Sequence, residues 1–188
     1  MSFRSTFAAP DKEFIEGIEQ NDINFVQNFL NQNPNVDLED KTENGTVALH
    51  HAETIQMQQI LLGHGANINA QTEFGFSILH IAISFGAYKM RDFLLEQHIQ
   101  VNLEDIDGRT PLFYAVANND LESSRALVNA GGSCLHLDSQ SSQSLLQFAV
   151  KTGNLQMVDF ILNCSKSLIN HQNEFGFSVL HTLALFPR

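Results

Sequence analysis

The chain has 188 residues, 43% of them hydrophobic, with fifteen Phe and no Trp; this is enough apolar material for a core and excludes intrinsic disorder. Acidic side chains outnumber basic ones 21 to 10 and no basic run is present, which excludes the clustered Lys and Arg that nucleic-acid binding draws on. No stretch approaches the roughly 18 apolar residues of a membrane-spanning helix, and MSFRSTFAAP lacks the apolar centre of a signal peptide. Two cysteines, Cys134 and Cys164, are too few for a disulfide scaffold and read as free thiols in a reducing, cytoplasmic setting.

In chain order, residues 1–10 form a lead ending in Pro10, a residue suited to the first turn of a helix. A helix is expected from near Asp11, with Phe14, Ile15 and Ile18 on one face. A second carries Ile23, Phe25, Val26, Phe29 and Leu30, mostly at spacings of three and four. Asn33 and Pro34 end it. Nine acidic and three basic residues fall in the first 43 positions, which reads as a solvated acidic end cap or as a face for a basic partner. Beyond it the chain repeats itself. EFGFSILHIA, Glu73 to Ala82, returns as EFGFSVLHTL, Glu174 to Leu183, with GTVALHHA from Gly45, GRTPLFYA from Gly108 and SQSLLQFA from Ser142 as relatives. The shared leucines Leu49, Leu79, Leu112, Leu146 and Leu180 are separated by steps of 30, 33, 34 and 34. The short step is accounted for after Ala52, where the A-x-x-x-G or A-x-x-x-N spacing seen elsewhere is missing, so the first helix of that unit should be about a turn shorter. In the unit around Leu146, Ser142 stands where a Gly would ease a tight turn, which predicts local softness.

These phrases, with the second apolar phrases LLGHGANIN, LLEQHIQVN and ILNCSKSLIN behind them, resemble the ankyrin repeat, whose period is about 33 residues and whose signature is T-P-L-H-x-A. The resemblance covers nearly the whole chain and implies an all-α repeat solenoid of stacked helix-turn-helix units with β-hairpin or loop fingers. One domain is expected over residues 11–188, in units of about 11–40, 41–70, 71–103, 104–137 and 138–171, with a partial sixth at 172–188. The sixth unit ends apolar after its first helix, so a longer polypeptide, a partner or a second copy is expected to cover it.

The resemblance also implies use: protein partners held in a concave groove by finger tips and first helices. Carried over by position, the contact residues are Glu73, Phe74, Phe76 and Phe85, then Ile106, Asp107, Arg109 and Asn118, then Glu174, Phe175, Phe177 and Phe186. The Phe rings are either partner anchors or rings covered by neighbouring fingers. Asn69, Asn102 and Asn170, each eight residues after a Leu, sit in a context resembling the asparagines hydroxylated in many ankyrin domains; the same residues also suit bracing of the fingers. A second function class is the targeting region of a larger multi-domain enzyme or secreted effector, including those that bacteria deliver into a host cytosol.

Catalysis is not expected. His50, His80 and His181 follow the repeat frame and lie whole repeats apart, too far to share a metal; the resemblance gives such histidines a structural hydrogen-bonding role, which Phe113 in GRTPLFYA replaces by packing. Cys134 and His136, even with Cys164, fall short of a recognisable metal site. GHGANIN lacks G-K-[ST] and reads as a helix cap, not a phosphate loop. No cofactor, nucleotide or metal is implied.

Overall fold

A computed structural model describes residues 12–185; the lead through Asp11, with Pro10, and Phe186 lie outside the described residues. The chain divides into two compact units, Met1–Ile78 and Leu79–Arg188. Both are all-α, as the sequence leads one to expect. Among the described residues the only β-pairing is two isolated bridges, Gln71 with Ser77 and Leu137 with Ser144, each at the base of a finger.

The first unit contains α1 (Lys12–Glu19), α2 (Ile23–Gln32), a 3-10 helix (Ala48–His51) and α3 (Ile55–Gly63). Helices of eight to ten residues are too short to persist alone, so their stability comes from caps and from the faces they bury. Asp22 caps α2 by accepting the Phe25 N–H, and Thr54 caps α3 by accepting that of Met57. Phe14, Ile18, Val26, Leu30, Leu49, Met57 and Leu61 are fully or almost fully buried, and the Phe14 ring stacks on Phe29 at 4.4 Å.

The shortened helix is present as anticipated, and the structure shows what replaces the missing turn. The other helix pairs are joined through a residue in left-handed geometry, namely Asn21, Gly86, Asn119 and Gly153. After Ala48–His51 the chain leaves instead through Ala52 in extended geometry. Leu49 O keeps a long bond from the Ala52 N–H at 3.3 Å, and Ala52 O has no backbone donor. The wholly buried Gln58 takes both, its Nε2 donating to Leu49 O at 3.2 Å and Ala52 O at 2.8 Å.

The second unit contains α4 (Ile78–Ser84, beginning at the division), α5 (Tyr88–Glu96), α6 (Pro111–Ala117), α7 (Leu121–Asn129), α8 (Leu145–Thr152), α9 (Leu155–Cys164), a 3-10 helix (Lys166–Asn170) and α10 (Val179–Leu185). Helix α6 packs on α7 and α8, α8 on α9 and α10, and α5 on α7. Leu79, Leu94, Leu112, Leu127, Leu146, Met157 and Ile161 line the core. The sequence does not announce Arg91, which is 3% exposed; it reaches from α5 to α7, donating to Ser123 Oγ at 2.8 Å and Glu122 at 2.9 Å. The apolar phrase ending GHG is a helix cap as read, with Gly65 at φ 92° just past α3.

The fingers are hairpin-like turns with one residue at positive φ: Gly45, Gly75, Gly108 and Gly176, and in the same role Ser142 at φ 53°. That finger is also one residue longer, closing from Asp138 N–H to Gln143 O where the finger before it closes from Asp105 to Arg109. Left-handed geometry disfavours a residue with Cβ, whereas Gly costs only chain entropy. Ser142→Gly should therefore raise stability by about 0.5–1 kcal/mol, read as a higher urea midpoint. Gln58→Leu should cost about 1–3 kcal/mol by leaving the Ala52 carbonyl without a donor and Leu49 O with only the long Ala52 N–H bond, seen as earlier unfolding of the first unit in hydrogen exchange.

Candidate functional site

In α4 and α8 the residue after the motif leucine couples a helix to the next finger. In α4, buried His80 donates from Nε2 to Arg109 O in the next finger, at 3.1 Å. In α8 the same position is Gln147. Its Oε1 accepts the Ser144 N–H at 3.0 Å, and its Nε2 donates to Phe177 O at 2.7 Å. A primary amide thus does the work of the imidazole. His50 accepts the Val47 N–H on Nδ1, and His181 that of Ser178, each at 3.2 Å. Phe113 packs as read, edge-on to Phe148 at 5.3 Å, and the Thr110 hydroxyl beside it is buried without a hydrogen-bond partner. His51 is occupied separately, its Nε2 at 2.7 Å from Thr46 Oγ1 and its Nδ1 at 2.8 Å from Glu19.

Each finger is built on an acceptor at its base, a pattern the sequence reading missed. Asp105 accepts the N–H groups of Asp107 and Arg109 and the Tyr114 hydroxyl. Asp138 accepts the N–H groups of Ser141 and Gln143, and Asn173 those of Phe175 and Phe177. The spacing of Asp105, Asp138 and Asn173, close to one repeat, is the signal that could have found them. Adjacent fingers are joined by backbone bonds: Glu73 N–H to Gly45 O at 3.1 Å in the first unit, Ser139 N–H to Asp107 O at 2.7 Å and Glu174 N–H to Ser141 O at 3.1 Å in the second.

The sequence-named contact residues divide into two kinds. Asp107 and Arg109 are engaged internally: Asp107 accepts from Gln140 at 2.9 Å, and Arg109 lies 3.4 Å from Asp107, 3.5 Å from Asp138 and over the Phe148 ring. Burial weakens the Arg109 charge, but Asp107 and Asp138 outweigh it and hold its pKa above the ordinary value. Burial likewise opposes charge on Asp138, yet the N–H groups it accepts keep its carboxyl below the usual aspartate range. Asn118 caps α6 through its N–H. The apolar candidates are open. Phe85 is 84% exposed, Phe175 65%, Ile106 63%, Phe74 53% and Phe177 42%, whereas Phe76 is half-buried. Phe74 and Phe76 belong to the first unit and the others to the second.

Asn102 braces a loop: its Nδ2 donates to Gly131 O at 3.0 Å and its Oδ1 accepts the Ser133 N–H at 2.8 Å. Asn69 lies before the second finger, and Asn170 ends the second 3-10 helix, exposed.

The cysteines correct the sequence reading. Cys134 and Cys164 are joined as a disulfide, with Cα atoms 6.2 Å apart. They are out of register in the repeat frame, but Cys164 ends α9 one helical turn before Leu168, which matches Cys134 after one 34-residue step. Stacking of neighbouring helix pairs closes that difference. The expectation of free thiols falls. His136 is turned to Glu104 at 3.2 Å. Among the described residues no group of three His, Cys, Asp or Glu is placed to hold a metal ion, and no helix is long and apolar enough to cross a membrane.

Tandem helix pairs, tied finger to helix at a fixed position and opening apolar tips to solvent, define a helical repeat protein of the interaction type. The family model for ankyrin repeats matches residues 14–105, 54–139 and 99–173, and the chain belongs to the ankyrin repeat family. Its members serve as protein-interaction modules and are generally non-catalytic. It is 28% identical over 174 residues to "Probable 26S proteasome regulatory subunit p28" of Saccharomyces cerevisiae, covering 88% of this chain and 75% of that one. It is 28% identical to the ankyrin repeat protein L371 of Acanthamoeba polyphaga mimivirus, covering 73% of this chain but 18% of that one. With NF-kappa-B inhibitor delta of Mus musculus it shares 27% identity, covering 68% of this chain and 46% of that one. The chain thus spans less than two thirds of two of these three relatives.

Burial is the main reason the pKa values of His50 and His80 lie below the ordinary 6.5, only partly offset by nearby carbonyls. An unfolded chain then binds more protons than the folded one as pH falls below about 6.5, so stability should be level above that pH and decline below it. His80→Gln, copying Gln147, should leave stability at pH 7.5 within about 1 kcal/mol and remove its share of the acid-side slope, at most about 1.4 kcal/mol per pH unit. Urea titrations at pH 5, 6 and 7.5 measure both.

Proposed function

We propose that the chain holds a protein partner against the finger tips and first helices, along the concave side expected of ankyrin arrays, without catalysing a reaction on it. The observation that carries this reading is Phe85: an aromatic side chain 84% exposed just past α4, in the unit whose next finger exposes Ile106. Large apolar side chains left open at recognition positions are the usual anchors of interfaces. Asp107 and Arg109 act in this reading as a stiff frame beside the anchors, because their charges are already paired within the unit. Glu73, Phe74 and Phe76 are proposed as the corresponding contacts of the first unit, with Glu174, Phe175 and Phe177 on the last finger.

The proposal includes five near-complete repeats and a partial sixth in one domain at residues 11–188, in a cytoplasmic setting. The relatives named above come from a yeast, a virus and a mouse, which lends nothing to an origin as a bacterial effector. Hydroxylation of Asn69, Asn102 and Asn170 is part of the same reading, and peptide mass mapping of the chain from its native source tests it.

One observation favours the second reading, of a larger assembly. The motif leucines Leu79, Leu112 and Leu146 are at most 1% exposed, whereas Leu180 at the same position in α10 is 70% exposed. A further helix pair, from the same polypeptide or another, would bury it as α8 and α10 bury their neighbours.

The direct test compares capture of binding proteins by the double variant Phe85→Ser, Ile106→Ser with capture by Leu155→Ser, which alters an equally exposed apolar residue on the second helix of its pair. Loss of one good anchor is about 2 kcal/mol, or about thirtyfold in affinity, so the double variant should lose its partners while Leu155→Ser keeps them. Equal capture by all three folded proteins removes these residues from the interface.

A further inference from the structure

We propose that the Cys134–Cys164 disulfide is a reversible redox site, opened by a low-molecular-weight thiol of the glutathione class through attack at Cys164, and that its state sets the stiffness of the segment it encloses. The two ends of the bridge are unlike. Cys134 is buried, 4% exposed, in a stretch fixed before and after it: Gly132 donates its N–H to Leu127 O at 2.8 Å, Ser133 donates its own to Asn102 Oδ1 at 2.8 Å, and Leu135 donates to Ser133 Oγ at 3.2 Å. Cys164 is the exposed last residue of α9, followed by Ser165 and a 3-10 helix whose residues, Leu168 apart, lie at the surface. An incoming thiolate therefore reaches the sulfur of Cys164, with Cys134 as the leaving group.

The exchange balances as follows. The small thiolate forms a bond to Cys164 Sγ as the Cys134–Cys164 bond breaks, and the electron pair leaves on Cys134 Sγ, which takes up a proton. A second small thiol attacks the mixed disulfide, freeing Cys164 as a thiol and leaving an oxidised small disulfide. In total two electrons and two protons pass from two small thiols to the protein, and oxidised glutathione reverses the sequence.

What the bridge encloses gives the switch its consequence. The 30-residue separation contains α8 and the finger from Asp138 to Gln143, the one built on Ser142 in left-handed geometry. A crosslink across such a loop restricts the open states that its ends can reach. On reduction Cys134 stays held by its neighbours while the end of α9 is released, so the freed motion falls on α9 and on this finger. That finger is bonded to both of its neighbours, through Ser139 to Asp107 and through Glu174 to Ser141. The inference is independent of what the fingers bind.

The experiment uses the full chain. Under denaturing conditions, alkylation followed by intact mass should show no free thiol before treatment and two after reduction. When the reduced protein meets oxidised glutathione, pulsed quenching and peptide mapping should find the mixed disulfide on Cys164 at least about tenfold more than on Cys134, before the bridge closes. Amide exchange between residues 138 and 161 should quicken at least about tenfold on reduction while α1 to α3 stay unchanged. Two free thiols that persist in oxidised glutathione, equal capture on both cysteines, or identical exchange in the two states would each overturn the proposal. All three readings are made on the unsubstituted chain, so no variant need fold.

Discussion

The interaction on which the rest of the structure depends is the bond from the start of one first helix to the finger that follows it. A helix of seven residues has most of its backbone groups at its ends and cannot hold itself together. The side chain after the motif leucine repairs both faults. It accepts an N–H from the helix start, as His50 and Gln147 do, and donates to the carbonyl of the next finger, as His80 does to Arg109 and Gln147 to Phe177. His80 and Gln147 are buried, so each bond they failed to make would carry a full desolvation cost. His and Gln are interchangeable here because both place an acceptor and a donor on opposite sides of a short planar group. Phe113 can do neither, and the buried, unpaired Thr110 hydroxyl is the visible consequence.

From that tie follows the division of labour at the surface. A finger anchored at its base by Asp105, Asp138 or Asn173, and bonded to its neighbour through the backbone, holds its tip in one conformation. Apolar side chains on such tips lose little entropy when a partner covers them. Ile106 and Phe175 stand on tips of this kind, and Phe85 on the helix turn beside them. The charged residues expected among the contacts turn out to be the braces. Arg109 spends its guanidinium on Asp107, Asp138 and the face of Phe148, so its contribution to recognition is rigidity.

Departures from the repeat frame each come with a local repair. Where three residues are missing after Ala52, a buried glutamine reaches back to the carbonyls that a full helix would have satisfied. Where a finger lacks glycine, it is lengthened by one residue and Asp138 gathers three of its donors, the Ser141 N–H and hydroxyl and the Gln143 N–H. The same finger lies inside the loop closed by the disulfide, so a left-handed serine falls in a segment with a covalent restraint.

The sequence by itself determined the class of fold, the period, the helix phases, the shortened helix around Leu49 and the substitution of packing for hydrogen bonding at Phe113. These are readable because helical periodicity and turn residues act over a few positions, and repetition states each rule several times. Tertiary structure alone decided which polar residues are spent internally. Gln58, Arg91 and Gln147 look like surface residues in a sequence, since nothing local marks a polar side chain whose partner lies one repeat away or across a missing turn. The disulfide belongs to the same group: the repeat frame sets Cys134 and Cys164 one helical turn out of phase, and only the lateral stacking of adjacent helix pairs brings them together.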